Sequence, residues 1–178
     1  MTTPQLTQPV FLCGMMGAGK STIGKILAAK SGVPFSDLDS LIESSENMSI
    51  PEIFDSHGEQ KFRETERSIL LEHAKKAEGI IALGGGSLQN QQLVDHIKLS
   101  GWLIFLNVPV KELIKRLKNS ANRPMLENSD LEKKIKQLLK ERLPFYNQAH
   151  ITIHTNDMDA EEIAENILKK LRIYENTR

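Results

Sequence analysis

The sequence has 178 residues, a length that suits one domain, and an ordinary globular composition with 39% apolar and 26% charged residues. Its 23 basic and 23 acidic side chains cancel, so it lacks the basic surplus that general binding to nucleic acids or anionic membranes requires. The single cysteine, Cys13, excludes an intrachain disulfide and a zinc site built on cysteines. No apolar run approaches the roughly 18 residues of a membrane span, and residues 1–10 lack the features of a signal peptide. We therefore expect a soluble, cytoplasmic, monomeric protein without nucleic-acid or membrane partners.

The predicted elements alternate between short apolar strands and longer amphipathic helices. Strands are predicted over residues 9–13, 34–39, 79–84, 102–108 and 150–154. Helices are predicted over residues of about 20–31, 58–77, 90–99, 110–119, 130–143 and 159–174. The third and fourth strands are continuously apolar, as expected for a sheet that is covered on both faces. This alternation predicts an α/β fold with a mostly parallel sheet and right-handed crossovers.

Two segments depart from simple alternation. Residues 38–78 contain more helix than one crossover needs, so part of this stretch is expected to project from the sheet. Residues 119–129 are polar and lack periodicity, which predicts a mobile surface loop between two helices. Capping boxes, in which a side-chain oxygen and a glutamate three residues on satisfy the first helical amides, are predicted at three helix starts. They are Ser49 with Glu52, Ser129 with Glu132, and Asp159 with Glu162.

Residues 14–21, GMMGAGKS, fit the phosphate-binding pattern GxxxxGK[ST] between a predicted strand and a predicted helix. Glycines let backbone amides approach phosphate oxygens closely, and the free amides at the start of the following helix attract the same anion. Lys20 would bring a positive charge to the outer phosphates, and the Ser21 hydroxyl suits Mg²⁺, which prefers hard oxygen ligands. The pattern therefore predicts a nucleotide-phosphate site, with Cys13 as a buried residue at the end of the strand before it.

The residues around this loop favour a small kinase over other nucleotide-binding classes. No DxxG follows a predicted strand and no NKxD is present, although GTPases need both, and the third strand ends in GGGS (84–87) instead of the acidic pair of a motor or helicase. The glycine triplet would present bare amides at the carboxyl edge of the sheet, where ligands bind in open α/β folds. Asp37 and Asp39, at the end of the second strand, could accept a hydrogen bond from an acceptor hydroxyl or hold Mg²⁺ through water. Alternatively, one of them only caps the next helix.

Three arginines are candidates for binding the anionic groups of substrates. Arg63 and Arg142 lie in charged helical segments, and the pattern alone favours solvated surface positions for both. Arg123 precedes a proline in the predicted mobile loop, which suits a lid whose planar guanidinium closes over phosphates.

The order of these motifs resembles shikimate kinase over residues of about 9–172. The matching segments are GMMGAGKST (14–22), FSDLD (35–39), IPEIFDSHGEQKFRETE (50–66), ALGGG (82–86), LIFLNV (103–108), NRPML (122–126) and ERLPFYNQA (141–149). The phosphate loop alone is common to many families, whereas this combination is highly specific. The resemblance implies transfer of the γ-phosphoryl group of ATP to the 3-hydroxyl of shikimate, in the chorismate route to aromatic amino acids, with Mg²⁺ as cofactor.

The resemblance also implies an architecture similar to that of nucleoside-monophosphate kinases. Residues 1–178 would form a single domain, a three-layer α-β-α sandwich with a five-stranded parallel sheet. A helical substrate-binding segment would span about 36–64 and a mobile lid about 115–127. A related small-molecule kinase such as gluconate kinase is the alternative, because gluconate also has a carboxylate and hydroxyls. A nucleotide-binding regulator without catalysis is a third interpretation.

The roles of the site residues are likewise what the resemblance implies. The catalytic residues would be Lys20, Asp39 and Arg123, and Ser21 and Asp37 would act on Mg²⁺. ATP would be bound by Gly17, Ala18, Gly19, Lys20, Ser21, Thr22, Arg116 and Arg123. Shikimate would be bound by Asp39, Arg63, Gly84, Gly85, Gly86 and Arg142, with Arg63 and Arg142 clamping its carboxylate and Glu66 orienting Arg63.

Overall fold

The computed structural model describes residues 6–76, 78–118 and 131–176, with side chains described as far as residue 174. Five strands and seven helices follow one another along these ranges. They are β1 (Val10–Cys13), α1 (Lys20–Ser31), β2 (Phe35–Asp37), α2 (Leu38–Glu46), α3 (Ile50–Lys76), β3 (Ile80–Ala82), α4 (Gln91–Ser100), β4 (Trp102–Asn107), α5 (Val110–Lys118), α6 (Leu131–Tyr146), β5 (Ile151–His154) and α7 (Ala160–Asn176).

All five strands are parallel and lie in the order β2-β3-β1-β4-β5. The strand β1 is central, with Val10 opposite Ile80 on one side and Trp102 on the other. Helices flank the sheet, α1 packing against α7 and α3 against α4, and all four residues of β1 are fully buried. The predicted α/β fold with a five-stranded parallel sheet is confirmed. Because the strands are parallel, the loops after β1, β2 and β3 meet at one edge of the sheet.

The chain between β2 and β3 holds more helix than the predicted boundaries included. The helix α2 follows β2 directly, and α3 contains a break at Gly58, whose φ of 77° and ψ of 172° are not helical. The helix predicted over 58–77 is therefore only the second part of α3, and residues 50–57 form a helical part before the break. The expectation that residues 38–78 hold surplus helix is confirmed.

Two of the three predicted capping boxes are present. The Ser49 amide donates to Oε2 of Glu52 at 2.8 Å, and the amides of Asp159 and Glu162 each bond the other residue's side chain at 2.8 and 2.9 Å. Ser129 lies outside the described residues. The helix α6 runs past Pro144 to Tyr146, so its predicted end at residue 143 was too early. Of the helices described, none has the length and the apolar composition that a membrane crossing demands.

Candidate active site

The loop between β1 and α1 has the backbone geometry of a phosphate cradle. Gly14, Gly17 and Gly19 have φ values of 144°, 78° and 90°, a region that side chains with a Cβ rarely adopt. Lys20 Nζ donates to the carbonyl oxygens of Gly14 at 2.9 Å and Met15 at 3.0 Å, so the ammonium lies across the loop. Gly19 caps α1 without a side-chain hydrogen bond, which leaves first-turn amides available to an anion.

The first helix of this site also brings a hydroxyl to the end of β2. The Ser21 hydroxyl donates to Oδ2 of Asp37 at 2.5 Å, while Oδ1 of Asp37 accepts the amide of Asp39 at 3.1 Å and caps α2. Asp37 is therefore a helix cap with one oxygen and a partner of Ser21 with the other. Among the described side chains, no group of three or more acids, histidines or cysteines is placed so that it could hold a metal ion by itself. A pair of hard oxygen ligands suits Mg²⁺, which keeps several waters and takes its other ligands from substrate phosphates.

The glycine triplet after β3 lies against two carboxylates. A Cβ on Gly84 would lie 2.9 Å from Oε1 of Glu66 and 3.0 Å from Oδ1 of Asp39. The distance to Glu66 is shorter than real Cβ atoms show and the distance to Asp39 is at the tight limit, so a side chain at Gly84 would press on both acids. The loop after β3 and the start of α2 thus place Asp39 beside the backbone of Gly84. The positions of these residues after neighbouring strands predicted this proximity.

The same triplet lies against two guanidinium groups. A Cβ on Gly85 would be 3.3 Å from Nη1 of Arg142, and one on Gly86 would be 2.9 Å from Nη2 of Arg63. The structure therefore brings both arginines to the glycine loop from different helices, α3 and α6.

Arg63 is held by acids on its own helix. Its Nη1 donates to Oε2 of Glu66 at 2.7 Å, and its Nη2 lies 3.5 Å from Oε1 of Glu59. Its side chain is 31% exposed, whereas the side chain of Glu66 is buried. Oε1 of Glu66 accepts a hydrogen bond from the Ser87 hydroxyl at 2.6 Å. The helical pairing seen in the sequence is confirmed, but the guanidinium also lies against the glycine loop, so the solvated-surface interpretation of Arg63 holds only in part.

Arg142 is buried, with 7% of its surface exposed, so the surface position that the pattern favoured was wrong. Its Nη1 contacts Sδ of Met15 at 3.7 Å, and its Nε is buried without a hydrogen-bond partner among the described residues. No described carboxylate forms a salt bridge with Arg142. A buried, permanently charged guanidinium without a counter-ion is costly, so the arrangement favours an anionic ligand at this position.

Arg116, in the last turn of α5, lies against the phosphate loop. Its Nε donates to Oε1 of Glu112 at 3.0 Å, and its Nη1 donates to the carbonyl oxygen of Gly17 at 3.4 Å. Of the other predicted nucleotide contacts, Ala18 is buried and Thr22 is exposed in the first turn of α1. Arg123 and residues 119–127 of the predicted lid lie outside the described residues.

Two residues that shape this site were not predicted. The Tyr146 hydroxyl donates to the carbonyl oxygen of Gly85, and burial raises the pKa of Tyr146, which keeps it a protonated donor. Ser87 reaches Glu66 as described above. Tyr146 lies one turn after Arg142 on α6, and Ser87 follows the glycine triplet directly, so only their proximity to predicted residues could have indicated a role.

Cys13 is buried at the end of β1, as interpreted from the sequence. Burial raises its pKa from 9.0 to about 12. The thiol is therefore neutral and inert at physiological pH.

The arrangement matches a known family over most of the chain. The sequence model for shikimate kinase matches residues 16–172. The chain belongs to the shikimate kinase family. A shikimate kinase from Rhodopseudomonas palustris is 38% identical over 167 residues, which cover 94% of this chain and 82% of the relative. The structure of the shikimate kinase from Acinetobacter baumannii in complex with shikimate superimposes with a TM-score of 0.88 at 35% identity, covering 97% of this chain and 96% of the other.

Membership of the shikimate kinase family confirms the predicted class, an ATP-dependent kinase, and the predicted function, phosphorylation of shikimate on the route to aromatic amino acids. Gluconate kinase, the predicted alternative, is not favoured. A gluconokinase from Sinorhizobium meliloti superimposes with a TM-score of 0.62 over 98% of this chain and 97% of the other, but at only 17% identity. That likeness shows a common fold alone.

Proposed function

We propose that this chain transfers the γ-phosphoryl group of ATP to the 3-hydroxyl of shikimate, giving 3-phosphoshikimate and ADP. The observation that carries this assignment is Arg142. Its guanidinium is buried beside Gly85, and no described carboxylate neutralises it. An acceptor that carries a carboxylate supplies the missing charge, whereas an uncharged acceptor would not.

Arg142 and Arg63 form the carboxylate clamp of this proposal. They flank Gly85 and Gly86 from two helices, so a carboxylate between them would contact both guanidiniums. The exposed ion pair of Arg63 with Glu59 is weak, so Nη2 can leave Glu59 for a ligand at little cost. The ion pair of Nη1 with Glu66 keeps the guanidinium beside the glycine triplet. The amides of the glycine triplet are left to bind ring hydroxyls.

Asp39 is proposed to orient the attacking hydroxyl. Its Oδ1 lies at the other end of the triplet, beside Gly84, so an acceptor ring over the glycines would reach from the arginines to Asp39. Phosphoryl transfer has a loose transition state, so positioning of the nucleophile and stabilisation of charge account for most of the catalysis. Asp39 would accept the hydroxyl's hydrogen bond and take its proton as transfer completes.

The nucleotide phosphates are proposed to lie on residues 14–22. The loop amides and the start of α1 would bind the phosphates, and Lys20 would exchange the carbonyls of Gly14 and Met15 for phosphate oxygens. Ser21 and Asp37 would hold Mg²⁺, which neutralises phosphate charge when bound. Arg116, already beside the loop, would contact the adenine, and Arg123 would close with the lid over the transferring group.

From the sequence we further propose a single domain with a substrate-binding segment over about 36–64 and a lid over about 115–127. We also propose that the protein is a monomer without nucleic-acid or membrane partners. Cytoplasmic location is supported by the use of ATP, which is supplied inside the cell. Light scattering with and without ATP and shikimate tests the oligomeric state.

A coupled assay of ADP release with three acceptors tests the substrate. Shikimate, gluconate and a nucleoside monophosphate are compared at equal concentration with ATP and Mg²⁺. The proposal expects turnover with shikimate at least 100-fold above the other two, as is usual for a site whose buried polar groups match one substrate. Faster turnover with gluconate would mean that the arginine clamp binds a different hydroxy acid. ATP binding without turnover of any acceptor would favour a regulator without catalysis.

A further inference from the structure

The hydroxyl of Ser87 completes a chain of contacts that ends on the carboxylate clamp. It donates to Oε1 of Glu66 at 2.6 Å, and Oε2 of the same carboxylate accepts Nη1 of Arg63 at 2.7 Å. Ser87 and Glu66 are both buried, with 4% and 3% of their surface exposed. Hydrogen bonds to a buried carboxylate are strong and directional, so each partner limits the positions that the other can take.

Ser87 is also tied to the glycine triplet through its backbone. Its amide donates to the carbonyl oxygen of Gly84 at 3.2 Å, which closes a turn with Gly85 and Gly86 at its centre. The side chain and the backbone of one residue therefore connect the turn that would bind the acceptor hydroxyls with the arginine that would bind its carboxylate.

We infer that Ser87 is a positioning residue for acceptor binding, which acts through Glu66 on Arg63 and sets the distance between the clamp and the glycine triplet. The inference rests on the proposed function, because it takes Arg63 as a ligand of the acceptor carboxylate. Without the hydroxyl, Glu66 keeps its ion pair but loses its second donor. The Glu66–Arg63 pair can then shift as a unit, and the clamp is no longer held in register with the turn.

The contact predicts a specific kinetic signature. The carboxylate is bound equally in the ground state and in the transition state, so misplacement of Arg63 raises the KM for shikimate and leaves kcat unchanged. We expect Ser87→Ala to raise that KM about 10-fold, the effect of one hydrogen bond to a charged group, with the KM for ATP unchanged. The backbone turn survives this substitution because it uses only main-chain atoms.

Ser31→Ala is the matched control. Ser31 is also buried, at 6% exposure, and its hydroxyl has no hydrogen-bond partner among the described residues. It lies at the end of α1, away from the glycine triplet. This variant measures what a buried serine-to-alanine change does by packing alone, and we expect wild-type KM and kcat from it.

A double-mutant cycle with Arg63→Met tests the route through Arg63. If Ser87 acts through that guanidinium, Ser87→Ala should lower kcat/KM for shikimate about 10-fold in the wild-type background and less than twofold once Arg63 is gone. Equal losses in both backgrounds, or a Ser87→Ala KM within twofold of the wild-type KM, would overturn the inference.

The wild type, Ser87→Ala, Arg63→Met and the double variant also separate this inference from the proposed function. Their urea midpoints, measured without substrate, report whether Ser87 and Arg63 are coupled through Glu66: the two single shifts should not add in the double variant. If the wild type fails to phosphorylate shikimate while the midpoints are coupled, the proposed function is wrong and the contact chain stands. If the wild type is active and the midpoints add, the contact chain is overturned and the function stands.

Discussion

The hydroxyl of Tyr146 donates a hydrogen bond to the carbonyl oxygen of Gly85, and this bond ties α6 to the glycine turn after β3. The Tyr146 ring packs against Phe105, with 5.0 Å between the ring centroids, so the Tyr146 hydroxyl is anchored to the hydrophobic core. Arg142 lies one turn earlier on the same helix. Tyr146 therefore fixes the position of the buried guanidinium relative to the backbone that it faces.

Tyr146→Phe keeps the ring and removes this bond. We expect a loss of about 1–2 kcal/mol in the free energy of unfolding, because a partly buried carbonyl loses its donor. Urea denaturation measures the loss, with Tyr174→Phe as the control, since Tyr174 is 44% exposed at the end of α7. Equal stability of Tyr146→Phe and wild type would mean that the bond contributes nothing to the fold.

Lys20→Ala should leave a folded protein with very little phosphoryl transfer. The ammonium donates to the loop carbonyls of Gly14 and Met15, and its charge would serve the phosphates, so we expect kcat to fall at least 100-fold. The control is Lys25→Ala, an exposed lysine on the same helix, which should retain wild-type kcat. Near-normal turnover of Lys20→Ala would refute the assignment of residues 14–22 to the nucleotide phosphates.

Asp39→Asn keeps the shape of the side chain and removes its charge. If Asp39 orients the attacking hydroxyl and takes its proton, kcat should fall by roughly 10²–10⁴. Steady-state kinetics with saturating shikimate measures the change, and Asp55→Asn, on the exposed first part of α3, is the control. A decrease in kcat of less than threefold with unchanged shikimate affinity would mean that Asp39 has no catalytic role and serves only in the first turn of α2.

The buried thiol of Cys13 predicts a dependence of stability on pH. The unfolded chain loses the thiol proton near pH 9, while burial raises the folded-state pKa to about 12. Between these values the folded state holds the extra proton, so the contribution of Cys13 to stability falls as the pH rises. The stability advantage of wild type over Cys13→Ala should therefore shrink by about 1.4 kcal/mol between pH 8 and pH 10. Urea denaturation at both pH values measures it, and a constant difference would contradict the burial of the thiol.

Local signals predicted the sheet and the phosphate loop well. The strands are short apolar runs, and GMMGAGKS needs a strand before it and a helix after it, so each signal supports the other. Surplus helix was predicted over residues 38–78, but α2 had no predicted bounds of its own, because LDSLIESSE is rich in serine and acids, which favour caps and turns, and buries only Leu38 and Ile42. The capping box of Ser49 and Glu52 indicated the start of α3, whereas the predicted helix began only at the break at Gly58.

The residues of the candidate site were named from the sequence, but apart from the pairing of Arg63 with Glu66 their contacts were not predicted. The pattern around Arg142 is that of a charged helix surface, and only the position of α6 over the glycine turn makes it buried. The link from Ser87 to Glu66 joins residues 21 apart in the sequence. Such contacts depend on how α3 and α6 pack against the loop after β3, and no local pattern encodes that packing.

The two roles predicted for arginines, binding the transferring phosphoryl group and binding the substrate carboxylate, should be distinguishable by experiment. Arg123, in the predicted lid, would act on the transferring phosphoryl group, so Arg123→Met should lower kcat and preserve shikimate binding without nucleotide. Arg142 would bind a carboxylate that is present throughout the reaction. Arg142→Met should remain folded, because a buried guanidinium that pairs with no described carboxylate is replaced by an apolar side chain of similar length.

Calorimetric titration of shikimate into wild type and Arg142→Met tests the central claim most directly. Loss of one partner of a buried charge pair costs about 2–5 kcal/mol, so the dissociation constant of Arg142→Met should be at least about 30-fold above that of wild type. Arg123→Met should bind like the wild type. Equal shikimate affinity in wild type and Arg142→Met would contradict the proposal that this buried arginine binds the carboxylate of the substrate.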